Sequence, residues 1–147
     1  MRREKRILNM ETYRQCFDTC DEVRAARAGK KIRMRDYSAA IVSCADSWQN
    51  YMSFATEKSG KANDLSYRKT HVLEAALKTL GAIGKQRAEC KNCIGACAEP
   101  HAARTVMTRC NVNDVKNLAF SYAYRPRTKM VIRYCRNCTD IFDVVNP

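Results

Sequence analysis

The sequence predicts an α+β protein: a mostly helical N-terminal region of three helices over residues 1–88, then a small zinc-stabilised module over residues 89–147 with strands and one helix. Three observations predict it. Apolar residues recur at spacings of three and four through the first part. After Ala88 the runs become β-branched and alternating. Two C-x2-C pairs, Cys90/Cys93 and Cys135/Cys138, bracket the second part.

The first helix carries Met10, Tyr13, Phe17 and Cys20 on one face, and Gly29 is its expected stop. Asp36 can cap a second helix, whose stripe is Ile41, Cys44, Trp48, Tyr51 and Ala55 and which Gly60 closes. A third is expected to start near Asn63 or Asp64, with Leu73, Leu77, Leu80 and Gly84 in line. Such amphipathic segments pack as a helical hairpin or small bundle. In the second part "ARTVMTRC" and "TKMVIRYC" read as half-buried strands. Between them "NDVKNLAFSYAY" has Val115, Leu118 and Tyr122 on a helical face, with Asn113 as cap and Pro126 as terminator. "TDIFDVV" reads as a last strand.

Bulk properties narrow the function. With 147 residues the chain can bury a core of its own. No apolar run approaches the roughly 18 residues of a membrane span, so no membrane insertion is expected. The basic start "MRREKRILNM" is not followed by an apolar stretch of signal-peptide type, and Glu4 and Glu11 are unlike a mitochondrial transit peptide. A reducing compartment, cytoplasm or nucleus, is the expectation. There the nine cysteines point to metal binding, catalysis or burial before disulfides. No Gly-rich phosphate loop and no G-x-S-x-G motif is present, and His71 has no evident partner, so the expected activity is binding and not catalysis.

The formal charge is +12, which favours polyanions. It is clustered. Arg24, Arg27, Lys30, Lys31, Arg33 and Arg35 form one acid-free run; Arg125, Arg127, Lys129, Arg133 and Arg136 form another. Lys58 and Lys61 lie outside both. The two runs are candidate phosphate surfaces, and Tyr122 and Tyr124, if exposed, can stack on bases of single-stranded RNA. If buried, they belong to the core.

Zinc takes four soft or borderline ligands in a tetrahedron, and a C-x2-C turn supplies two. Cys90, Cys93, Cys135 and Cys138 are therefore the expected ligands, clamping a segment too small to rely on its core alone. A local site of Cys90, Cys93, Cys97 and His101 on one helix is the alternative. Cys97 and Cys110 are otherwise expected as small buried residues. Cys16 and Cys20, at i and i+4, suit core packing or a soft ion such as Cu(I).

"CKNCIGAC" and "AYRPRTKMVIRYCRNCTDIFDVV" together make residues 89–146 resemble the zinc-binding part of the eukaryotic small-subunit ribosomal protein number twenty-six family. That resemblance implies Cys90, Cys93, Cys135 and Cys138 as zinc ligands, Tyr134 before the knuckle, and an RNA context within a ribonucleoprotein. Cys16, Cys20, Cys44, Cys90 and Cys93 on successive helices also resemble a thinned-out cysteine-rich copper-storage bundle. The sequence thus points first to a zinc-stabilised nucleic-acid-binding protein, with RNA the expected partner, within a larger ribonucleoprotein assembly. The alternatives are a helical protein-interaction or coat-type module with a basic side facing nucleic acid, and a copper-binding bundle.

Overall fold

The computed structural model of the chain describes residues 3–48, 51–62 and 70–146. Its elements are α1 (Arg3–Ala28), α2 (Met34–Ser38), β1 (Ile41–Trp48), β2 (Tyr51–Lys58), α3 (His71–Lys78), α4 (Ala98–Arg109), β3 (Ala119–Phe120), β4 (Ala123–Tyr124), β5 (Val131–Ile132) and α5 (Arg136–Ile141). The fold is α+β, with one antiparallel sheet in the order β2-β1-β4-β5 and β3 also paired to β1.

The helix α1 forms where the heptad-like spacing predicts it, but its buried line is Thr12, Cys16 and Cys20, with Tyr13 and Val23 half-buried. Met10 stays in solvent. The helix ends in a Schellman turn: Lys31 N donates to Ala26 O at 3.0 Å and Lys30 N to Arg27 O at 2.9 Å. Gly29 is the cap residue, and the left-handed position beyond it is taken by Lys30, at φ 58°.

The second expected helix is instead a β-hairpin. β1 and β2 pair from Ile41↔Lys58 to Trp48↔Tyr51. The helical stripe Ile41, Cys44, Trp48, Tyr51 was misleading because β1 is covered on both faces. Ile41 packs on Cys16 and Cys20 of α1, while Val42 and Cys44 point into the main core with α3 and α4. A strand buried on both sides loses the apolar–polar alternation that marks strands in sequence.

The expected start of the third helix, Asn63 or Asp64, lies outside the described residues; α3 is present with Leu73 and Leu77 buried. "ARTVMTRC" is not a strand but the end of α4. Ala98, Ala102, Ala103, Val106, Met107 and Cys110 make one buried helical face against the hairpin, which outweighs the local β preference of its threonine and valine. The expected helix over "NDVKNLAFSYAY" is a short 3-10 turn, Val115–Asn117, followed by β3 and β4. Its cap is Asp114, whose carboxylate accepts from Lys116 N at 2.9 Å, and not Asn113. β5 falls inside "TKMVIRYC" as expected, whereas "TDIFDVV" begins within α5.

Residues on either side of position 88 share one sheet and one core. β1 pairs with β3 and β4, and Ser43 and Ser121 exchange bonds: Ser121 N to Ser43 O at 2.9 Å, Ser43 N to Ser121 Oγ at 3.1 Å. The core joins Val42, Cys44, Leu73 and Leu77 to Ile94, Val106, Leu118, Phe120 and Phe142. Among the described residues, no helix is long and apolar enough to cross a membrane.

Candidate metal centre and basic face

The loop before α4 is pinned onto α5. Arg87 Nη2 donates to Asp140 Oδ2 at 2.6 Å and Arg87 Nε to Asn137 Oδ1 at 2.7 Å. The Asn137 amide in turn donates to Asn92 O at 3.0 Å. Ile94 is buried, and Gly95 takes φ 89°, a left-handed turn that brings the chain round to Cys97. Cys97 and Cys135 then occupy the N-cap positions of α4 and α5.

This arrangement gathers three thiols. Cys97 Sγ and Cys135 Sγ are 3.0 Å apart, Cys135 Sγ and Cys138 Sγ 3.7 Å, and all three sulfurs lie within 4.8 Å of one another. Asn92 Nδ2 lies 3.5 Å from Cys97 Sγ and can donate to it. The Cys138 thiol faces Glu99 Oε2 at 3.4 Å, in the interior. Hydrogen bonds from the Cys138 and Cys97 thiols hold the Cys135 thiol far below its ordinary value. Those same bonds, and then burial, raise Cys97 and Cys138. Burial, with the Cys135 charge nearby, pushes the Glu99 carboxyl up to about 7. Three convergent sulfurs can hold a metal ion.

Of the four ligands expected from spacing, Cys135 and Cys138 are in this cluster, and Cys90 and Cys93 are not among its three sulfurs. Cys97, expected as a small buried residue, takes part instead. Cys93 lines a cavity of about 400 Å³ together with Cys97 and Cys135. Cys90 is buried at a bridge to Arg87. The single helix expected to present Cys90, Cys93, Cys97 and His101 does not form, since α4 begins after Cys97, and the His101 ring meets Gly60 O at 3.2 Å. Cys97 was signalled in sequence only by its place four residues after Cys93, a spacing that fits a buried helix face equally well. Cys16 and Cys20 pack on one face of β1 and Cys44 on the other, so these sulfurs do not gather as a copper bundle would require.

The two basic runs, a hundred residues apart in sequence, meet. Arg24 Nη1 donates to Pro126 O at 2.7 Å and to Arg127 O at 3.3 Å. Arg127 N donates to Tyr37 O at 3.0 Å, Tyr37 Oη to Arg127 O at 3.4 Å, and Arg125 Nε to Ser38 O at 2.9 Å. Arg24 and Arg125 are thus braces between the runs. Arg27 lies over the Tyr37 ring at 6.0 Å. Lys30, Lys31, Arg33, Arg35, Arg127 and Lys129 remain exposed around this junction. Lys58 joins them through an ion pair with Asp36, which also binds Arg33, and Lys61 lines the same hollow as Arg35. Burial, then the charges of Arg33 and Arg35, lower the Lys58 ammonium. Arg133 lies in the cavity beside Lys91 and the cysteines, and Arg136 pairs with Asp140 near Arg87.

Tyr122 and Tyr124 are half-buried core aromatics. Tyr122 meets Tyr13 edge-on at 5.6 Å and Tyr134 at 5.5 Å, and Tyr124 meets Phe17 at 4.8 Å. The Tyr134 hydroxyl is tied to Ser121 O at 2.8 Å.

No protein-family model, no curated protein and no solved structure matches this chain.

Proposed function

We propose that the protein binds single-stranded nucleic acid, RNA foremost, on this basic face, as a component of a ribonucleoprotein assembly, and that zinc holds together the part of the fold that presents it. The junction of the two basic runs carries the reading. Neither run alone exceeds what a solvated surface commonly holds, but joined they make one continuous cationic strip that a phosphate backbone can follow. The zinc assignment rests on three soft sulfurs gathered within 4.8 Å, of which Cys135 and Cys138, 3.7 Å apart, match the roughly 3.8 Å that Zn–S bonds of about 2.3 Å impose in a tetrahedron, while Cys97 and Cys135, 3.0 Å apart, lie closer. Cys93, on the wall of the same cavity, is the fourth ligand in this reading.

If the exposed cations Lys30, Lys31, Arg33, Arg35, Arg127 and Lys129 all touch phosphates, affinity for single-stranded RNA falls with salt with a log–log slope of roughly −4, at about 0.7 per contact. Reversing Lys31 and Arg127 to glutamate, one from each run, flattens that slope by at least about one unit. The same reversal at Lys78 and Lys85, on α3 and the loop beyond, leaves it nearly unchanged. Filter binding across a salt series measures both; equal losses in the two double variants would sink the assignment.

A second expectation concerns backbone strain. Among the described residues, the non-glycine residues at left-handed φ are Lys30 (58°) and Lys129 (57°), one in each run. Lys129 closes the β4–β5 turn, its N–H donating to Arg125 O at 2.8 Å. Both positions favour glycine, and a lysine there costs about 1 kcal/mol. Strain of this kind concentrates at functional sites. Lys30→Gly and Lys129→Gly should each raise the melting temperature by roughly 2–4 °C and each weaken RNA binding, with the slope reduced by about 0.7. Calorimetry and filter binding on the same samples check the two signs together; variants that gain stability and lose no affinity would remove these lysines from the interface.

A further inference from the structure

At the edge of the basic face Phe17, Cys20, Asp21, Tyr124 and Lys129 line a hollow of about 300 Å³. Phe17 is 45% exposed, unusual for a phenylalanine packed at 4.8 Å on another ring. Tyr13 also packs on it, at 6.1 Å, so part of the ring is covered and part is open to water beside Lys129. Lys129 stands at the rim in its left-handed conformation, with its ammonium 3.6 Å from Asp21 Oδ1. Asp21 is a hydrogen-bond acceptor beside a surface otherwise built of donors.

We propose that this hollow receives one unpaired nucleobase of the bound strand, an extension that rests on the nucleic-acid reading above. The base stacks on the exposed part of the Phe17 ring, as bases do on aromatic platforms in single-strand-binding proteins. Lys129 meets the adjoining phosphate. The Asp21 carboxylate accepts a hydrogen bond from the exocyclic amine of the base, the pairing that carboxylates make with the amino group of cytosine. Cytosine and adenine offer that amine and uracil does not, so the pocket prefers the first two. Continuity with the basic face selects this occupant over an apolar protein segment: Lys129 on the rim belongs to the exposed run that includes Arg127, and a nucleotide offers a phosphate to Lys129 and an amine to Asp21 where an apolar chain offers neither.

The test compares oligo(C), oligo(A), oligo(U) and inorganic polyphosphate, which has the charge but no bases, by fluorescence anisotropy or competition. Phe17→Leu keeps the apolar contact with Tyr124 and removes the ring face; it should weaken oligo(C) and oligo(A) about tenfold and leave polyphosphate unchanged. Asp21→Asn should bring the oligo(C)/oligo(U) affinity ratio close to one. Phe17→Trp should bind as well as the native protein, and its added indole emission should be quenched by oligo(C) but not by polyphosphate. Unchanged melting curves certify the fold of each variant. The pocket is overturned if Phe17→Leu loses oligonucleotide and polyphosphate affinity equally, or loses neither, while the Lys31/Arg127 reversal still weakens both. If that reversal weakens neither, the basic face itself fails, and the base pocket with it.

Discussion

Cys135→Ser combined with Cys138→Ser is expected to abolish the proposed zinc binding and, because both halves of the chain share one core, the cooperative fold with it. Those two sulfurs are half of the proposed tetrahedral site, and metal binding and folding are coupled when a site does not exist in the unfolded chain. The loss should spread beyond α5, because the cluster ties the loop from Arg87 to Cys97 onto that helix. Elemental analysis should fall from about one zinc per chain to none, and the near-ultraviolet spectrum, which reports Tyr122 and Tyr134, should collapse. Single variants then identify the remaining ligands. Cys97→Ser and Cys93→Ser should each weaken zinc by more than the roughly 10–100-fold lost when a group hydrogen-bonded to a ligand is removed. Cys90→Ser should change it little. Cobalt makes the distinction visible, since replacing a thiolate by oxygen shifts the ligand-field bands of a four-sulfur site to higher energy. A double variant that keeps its metal and its melting behaviour would refute the centre; a Cys90 effect equal to that of Cys93 would move the fourth ligand.

A fragment ending at Ala88 should fail to fold. It retains α1, the hairpin and α3, but loses α4, which covers the hairpin, and β3 and β4, which pair with β1. Val42, Cys44, Leu73 and Leu77, all buried in the whole chain, would face water. Fully burying such a side chain is worth about 1.5–3 kcal/mol, so their exposure alone approaches the whole stability of a typical domain. The expected result is residual helix from α1 in the far ultraviolet with no cooperative melting transition. A fragment that melts sharply and gives a dispersed amide spectrum would restore the division near residue 88.

Much of this protein was legible in the order of its residues. The α+β class was read from the change in texture after Ala88, where β5 does fall inside "TKMVIRYC", although the two long strands, β1 and β2, lie before it. The long first helix and its stop followed from spacing and from Gly29, because a helix exposed on one side writes its period directly into sequence. The two basic runs were visible as composition, and the pair Cys135/Cys138 as a turn able to present two sulfurs to one ion.

Tertiary structure decided the rest. β1 was read as a helix because coverage by α1 and by the main core erased its alternation, while Ile41, Cys44 and Trp48 also satisfy a helical spacing. α4 was read as a strand because Thr105, Val106 and Thr108 favour strands locally, whereas the packing of Ala98, Ala102, Ala103 and Val106 against the hairpin favours a helix. Cys97 entered the cysteine cluster in place of an expected thiol because Arg87, Asn92, Asn137 and Asp140 fix where the loop meets α5, through three contacts between residues some 50 apart that no local spacing encodes. The basic runs became one face for the same reason: Arg24 reaches across the fold to Pro126. Local spacing determined which residue types lie on a common face of an element. Which elements face one another was settled only when burial and backbone pairing had to be satisfied for the whole chain at once.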